Sequence, residues 1–337
     1  MARAPGVRIV ILQSKGPQIS IPVKPDPHLA SGLHLGPAAL CFGTWCNVGM
    51  VAMEWRGRKR SENIVDGRAN GTGRGRASAG GIGGLGLVAV LVIGYFLGID
   101  VSPLLNSPTS VQTQGRTEIT AADQDAAEFA SVTLAYTEEV WARIYREQGN
   151  LTYTPAKLYL FKGSVDSACG TASAATGPFY CPGDRMVYLD TDFFTTMQQE
   201  LGAKGDFAMA YVVAHEVAHY IQDDLGILSE RNAQRAQSGE AQSNAISVGI
   251  ELQADCLAGI WARNVQEQLG AIEKGDFQEA FDAAKRIGDD TLQRNAGRRP
   301  TPESYTHGTS EQRSGWFATG LKSGQINDCN TFAALGL

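Results

Sequence analysis

The residues best suited to chemistry lie together, His215-Glu216-Val217-Ala218-His219, inside the stretch 210–226. Residues four apart share one face of a helix, so both imidazoles would point the same way and could hold one metal ion. Glu216 would then stand beside that ion. Zinc with three protein ligands keeps a fourth position for water and lowers the pKa of that water to about 7. A carboxylate next to such a water can take its proton during attack on a carbonyl. With five histidines in the chain, a pair at this spacing carries little weight alone, and a histidine in an amphipathic helix is more often a core residue. The glutamate between them and the surroundings favour the chemical reading. Val212, Val213, Ala214, Val217, Ala218 and Ile221 mark a buried helix over 208–225, with Asp206 as N-cap and Gly226 as stop.

A three-ligand site needs one more donor. Glu251 supplies it from a second helix read over 244–268, and Asp255, one turn later, could accept the free N–H of a ligand histidine and orient it. Ile246, Val248, Ile250, Leu252, Leu257 and Ile260 imply that this helix is buried. Two buried carboxylates four residues apart repel unless neutralised, which zinc and its histidines would do; the competing reading is a salt bridge. His307 precedes a helix whose capping box is Thr309 with Gln312. There it could hydrogen-bond the oxyanion of a tetrahedral intermediate, or serve only as a loop residue. Arg313 would pair with a carboxylate or a substrate group.

Elements that must position these residues are read from periodicity. A helix is expected over 121–148, strands over 157–161 and 186–190, and a helix over 192–201. The strand at 186–190 is read as an exposed edge on which a peptide could add by backbone pairing. Residues 229–243 are polar and read as a loop.

Hydrophobic residues make up 43% of the 337 and charged residues 19%, as in a globular protein, but the chain before residue 77 is net positive and the acidic side is concentrated after it. An acidic main domain argues against nucleic acid as a partner. Residues 1–52 show no period, and translation is expected to begin at Met53, the alternative being a disordered extension. A basic tail, 53–76, precedes a charge-free run, 77–99, long enough to cross a hydrocarbon core of about 30 Å. The positive-inside rule then keeps the tail in the cytoplasm and exports the rest of the chain, a linker over 100–117 and a domain over 118–337. That is a bacterial inner-membrane protein with one crossing, contacting lipid through it. Four cysteines lie beyond the run, and an even number in an oxidising compartment suggests two disulfides. Cys169 with Cys181 and Cys256 with Cys329 are favoured among three pairings.

MEWRGRKRSENIVD, the Gly-rich run, FYCPGDRMVYLD, VVAHEVAHYIQ, ELQADCLAGIWA and THGTSEQR together resemble the bacterial neutral zinc metallopeptidase family over nearly all of 53–332. The resemblance implies a single-span membrane protein with a mainly α (α+β), zincin-like peptidase domain and a small antiparallel sheet. It also implies Zn2+ held by His215, His219 and Glu251, with Glu216 as base. HEVAH, ELQAD and THGTSEQR are similar to membrane metallopeptidases of the Ste24 and HtpX type, which carry proline where this chain has Gly308 and cross the membrane several times. The function expected is hydrolysis of a peptide or protein substrate by a membrane-anchored zinc metallopeptidase. Its rivals are a catalytically inactive, zinc-stabilised binding or scaffold protein and a hydrolase of non-peptide amides.

Overall fold

A computed structural model describes residues 53–70, 118–173, 176–199, 205–273 and 275–337. The expected leader, apolar run and linker lie outside the described residues.

β1, Ile64–Asp66, comes first. α1, Ala121–Ile144, starts where the Thr120 hydroxyl accepts from the Asp123 N–H and Asp123 reaches back to the Thr120 N–H, a reciprocal cap that satisfies two helix-end donors. Next come β2 (Lys157–Phe161), β3 (Ser164–Ser167), β4 (Gly170–Ser173), β5 (Phe179–Cys181), β6 (Met186–Asp190) and α2 (Phe193–Gln199). Helices then take over: α3 (Asp206–Asp224), α4 (Ile227–Ala236), α5 (Glu240–Leu269), α6 (Asp276–Arg286), α7 (Asp289–Asn295), α8 (Ser310–Ser323) and α9 (Thr331–Leu335). The fold is mainly helical with a small sheet.

That sheet has the order β1-β2-β6-β5, with β1, β2 and β6 parallel and β5 antiparallel to β6; β3 and β4 form a separate hairpin. It is therefore largely parallel rather than the antiparallel sheet expected. The excursion through β3, β4 and β5 returns the chain to the starting end of β2, so β6 runs the same way. Leu158 lies opposite Val187 and Leu160 opposite Leu189, all four buried. β6 is thus internal, and the edge nearest α3 is β5, which corrects the reading of 186–190 as an edge.

α3 and α5 form the centre. α5 is long and apolar enough to cross a membrane, yet most of it is buried inside the domain, as befits a helix apolar nearly all round. α8 crosses it at two glycines: a Cβ on Gly259 would strike the Phe317 carbonyl, and one on Gly320 the Cys256 carbonyl. The backbones meet only because both positions lack a side chain. Cys256 and Cys329 form a disulfide that ties α5 to the C-terminal segment, and Cys169 with Cys181 ties the hairpin to β5, the favoured pairs.

Two further expectations are corrected. The polar stretch 229–243 is mostly α4 and the start of α5, anchored by Leu228 against Ile246, Ile250 and Phe332. One buried leucine suffices because the rest of α4 faces outward. Residues 53–70 are not a separate tail, and the domain does not begin at 118. Met53 and Trp55 are buried, Trp55 packs edge-on against Phe129 of α1, and β1 adds to the sheet. The Glu54 N–H donates to the Ala271 carbonyl and the Ser61 N–H to that of Ser131. The arginines that suggested a solvated tail reach outward, Arg56 to Asp125 and Arg60 to Glu128, while the apolar residues between them anchor the segment.

Candidate metal centre

α3 carries His215 and His219 one turn apart on one face, their ring centroids 4.8 Å from each other. α5 brings Glu251 to them. His215 Nε2 lies 3.1 Å from Glu251 Oε2, and His219 Nε2 lies 3.5 Å from Oε1, so each carboxylate oxygen faces one imidazole. One donor atom from each of the three falls within 4.8 Å of the others. Two imidazole nitrogens and a carboxylate are a donor set that suits zinc.

The far sides of both rings are held. His219 Nδ1 sits 2.8 Å from Gln222 Oε1, which accepts its N–H. The Gln222 amide donates to the Ile250 carbonyl at 2.8 Å and to Gln253 Oε1 at 3.0 Å, and Gln253 donates to the Cys329 carbonyl. His215 Nδ1 approaches Asp255 Oδ1 at 2.9 Å, off the line of a good hydrogen bond. A proton kept on each Nδ1 leaves each Nε2 lone pair free for a metal. Asp255, wholly buried, also accepts from the Tyr211 hydroxyl at 2.5 Å and from Arg313 at both oxygens, at 2.9 and 3.0 Å.

Electrostatics follow the geometry. Burial works against a charged His215, but Asp255 and Glu251 outweigh it and raise the imidazole to about 10. Burial lowers His219. It also opposes the Glu251 carboxylate, which His219, His215 and His307 nevertheless hold well below its ordinary range. Glu216 is buried beside them and loss of solvent pushes it up to about 7; His215 pulls it down, Glu251 pushes it up, and the Tyr180 backbone N–H steadies the anion. Tyr180 belongs to the β5 edge. It lines, with Pro182, Leu228, Arg235, His219 and Glu251, a cleft of ≈ 210 Å³. A larger hollow, ≈ 620 Å³, lies over α6 and α8 and contains none of these residues.

His307 sits in the turn before α8. The backbone N–H groups of Thr306, His307 and Gly308 all donate to Asp289 Oδ2, at 2.9, 2.7 and 3.0 Å, so one buried carboxylate clamps the turn. Gly308 has φ 92°, a conformation that favours glycine. His307 is 32% exposed at its side chain, and its charge is near enough to help hold the Glu251 carboxylate low. Burial opposes its charged form, but Asp289 and Glu251 raise it. The Thr309 and Gln312 capping box is formed.

The structure thus brings His215, Glu216, His219, Glu251, Asp255, His307 and Arg313 to one place. Sequence reasoning passed over Gln222, Gln253, Tyr211, Asp289 and Tyr180. Only Gln222 carried a local signal, three residues after His219 and so on the same helical face.

Comparison with known proteins matches residues 53–332 to the model of a family described as "Putative neutral zinc metallopeptidase". The protein YpfJ of Escherichia coli K12 is 41% identical over 285 residues, 83% of this chain and 99% of that protein. Rv2575 of Mycobacterium tuberculosis H37Rv is 43% identical over 195 residues, 55% of this chain and 65% of that protein. Both relatives are described as uncharacterized. No solved structure gives a significant match. The family match takes in β1, the β5 edge and every residue of the His215–His219–Glu251 cluster, and this chain belongs to that zinc metallopeptidase family.

Proposed function

We propose that the protein is a zinc-dependent peptidase that works outside the cytoplasm at the membrane. The observation that supports it most is the convergence of His215, His219 and Glu251 beside the buried Glu216, directly under the β5 edge. The residues present fit the ion: His219 Nδ1 is bonded to Gln222 and His215 Nδ1 faces the Asp255 carboxylate, which leaves both Nε2 atoms beside the Glu251 carboxylate. His215, His219 and Glu251 would hold zinc, which when bound supplies Lewis acidity to a carbonyl oxygen and to water.

The chain's own residues do the rest. Glu216, poised near neutrality, takes the proton of the attacking water and passes it to the leaving amine. The β5 edge, with Tyr180, pairs with an extended substrate backbone. His307 donates to the oxyanion, and Asp289 keeps it aimed by clamping its turn. Arg313 positions rather than reacts, since it is spent on Asp255, which in turn holds His215.

The two disulfides support an oxidising compartment. Packing of residues 53–70 on the domain supports placing both on the same side of the membrane. The apolar run 77–99 then anchors the protein without a single crossing that would part β1 from β2.

The test uses purified protein with one zinc per chain and a peptide library. Glu216→Gln should retain zinc and lose cleavage, and Glu251→Ala should lose zinc. Undiminished function in Glu216→Gln would instead favour a binding protein. For location, a thiol introduced at the exposed Lys59 (Lys59→Cys) and another after Leu337 should react alike with an impermeant reagent on intact spheroplasts; opposite reactivity would restore a single crossing.

A further inference from the structure

Asp206 is the first residue of the zinc-site helix α3, and it does not cap that helix; Gly205 is the N-cap. Its carboxylate, besides facing the backbone N–H groups of Asp206 and Phe207, reaches residues far earlier in the chain. It accepts from the Met53 backbone nitrogen at 3.1 Å and from the Trp55 indole at 3.1 Å. Two more carboxylates stand with it, Asp276 and Glu279 of α6, one oxygen of each within 4.8 Å of the others. Asp276 is 0% exposed, and its Oδ1 has no hydrogen-bond partner. Met53 is itself 2% exposed.

Three carboxylates held together, one of them buried and two half-buried, repel one another unless a cation joins them. The charges acting on Asp276 and Glu279 are those of neighbouring carboxylates, and with burial as the first cause they rise to about 6 and about 7. A backbone amide at Met53 brings one N–H and no charge. A free α-amino group there would bring three N–H donors and a positive charge, since such a group titrates near 8 when unperturbed. The unpartnered Asp276 oxygen lacks such a donor, and Glu279, which accepts the Phe207 N–H at 3.1 Å, lacks a counter-charge. The family match also begins at residue 53.

We propose that the mature chain begins at Met53 and that its α-ammonium docks among Asp206, Asp276 and Glu279, pinning the start of α3. The site is a socket for the chain's own amino terminus. It holds one end of the helix that carries His215 and His219 at its middle, and translation that starts at Met53 supplies the amine once the initiator's formyl group has been hydrolysed to formate. Any residue placed before Met53 converts the ammonium to an amide and leaves the carboxylates without their cation.

The experiment compares the chain starting at Met53 with the chain starting at Met1 and with one carrying a single serine after a new start, just ahead of Met53. Each is made with the native carboxylates and with Asp206→Asn plus Glu279→Gln. N-terminal sequencing of protein made from the natural reading frame should read Met53. In the native background, extension should lower the folding equilibrium constant at least about tenfold, and at most by the roughly 150- to 4,000-fold that breaking a fully buried ion pair costs. In the double variant, extension should change it little. The α-amine of the folded Met53 chain should resist an amine-reactive ester at pH 7 and become reactive on unfolding. Four results would overturn the proposal: a mature terminus upstream of Met53, equal stability of short and extended chains, equal losses in both backgrounds, or a freely reactive amine. Calcium that stabilises short and extended chains alike would also overturn it, by showing a divalent-cation site instead.

Discussion

Asp255→Asn removes one charge from the centre and keeps its shape. In the wild-type chain Asp255 is wholly buried and takes two N–H groups from Arg313, which is 2% exposed. Asparagine leaves that guanidinium without a counter-charge, and breaking one side of a buried pair costs about 3–5 kcal/mol. That is a large part of the 5–15 kcal/mol, roughly, by which domains are stable. A second loss falls on the metal. His215 Nδ1, 2.9 Å from Asp255, no longer faces an anion, so the ring loses basicity and its fixed tautomer. Loss of such a partner lowers metal affinity by about 10–100-fold, or about 1.4–2.7 kcal/mol. The two losses separate experimentally. Urea unfolding in excess chelator reports stability, and competition with a chromophoric chelator at pH 7 reports zinc affinity. Asp255→Leu with Arg313→Met removes both charges, so it should recover most of the stability while zinc binding stays weak. Wild-type zinc affinity in Asp255→Asn would refute the role given to Asp255 in holding His215. A stability loss below about 1 kcal/mol would refute the account of Arg313 as a buried, singly paired ion.

Other contacts make equally definite predictions. Gln222→Leu strips the acceptor from His219 Nδ1 and should weaken zinc about 10–100-fold, read by the same competition. Asp123 is buried, and although burial opposes its charge, Lys162, Thr191 and Thr120 hold its carboxyl far below the usual range. A depressed acid contributes stability that is present above its unfolded pKa, about 3.9, and is lost as pH falls through the folded one. Asp123→Asn should therefore cost about 2–3 kcal/mol at pH 7 and flatten the decline below about pH 5, measured by urea unfolding across pH. Gly320→Ala drives a methyl into the Cys256 carbonyl and should cost at least about 3 kcal/mol, seen as a lowered Tm, whereas Gly315→Ala on the same helix meets nothing and should not.

Local periodicity made several of these elements legible. The i, i+4 spacing places His215 and His219 on one face whatever surrounds them, because it depends only on the helix repeat. Helix ends were readable for the same reason: Thr309 with Gln312 forms the cap, and Gly270, with φ 58°, ends α5. Glu251 was reachable by counting ligands. The same local logic misplaced what depends on distant partners. Asp206 looked like a cap and instead binds Met53 and Trp55, residues to which nothing in its own neighbourhood points. Arginines in 53–70 looked like a solvated tail because charge is visible in a sequence, whereas the sheet that receives β1 is not. Strand order decided that β5 rather than β6 is the edge above Glu216. By itself the sequence determined which residue types could meet on α3, where helices stop and that four cysteines could pair. Only tertiary packing decided that Gln222 serves one histidine and Asp255 the other, that Asp289 clamps the turn of His307, and that Asp206, grouped with two carboxylates of α6, binds the Met53 backbone nitrogen. Such partners come from separate elements, and no repeat within a single element encodes which element it will pack against.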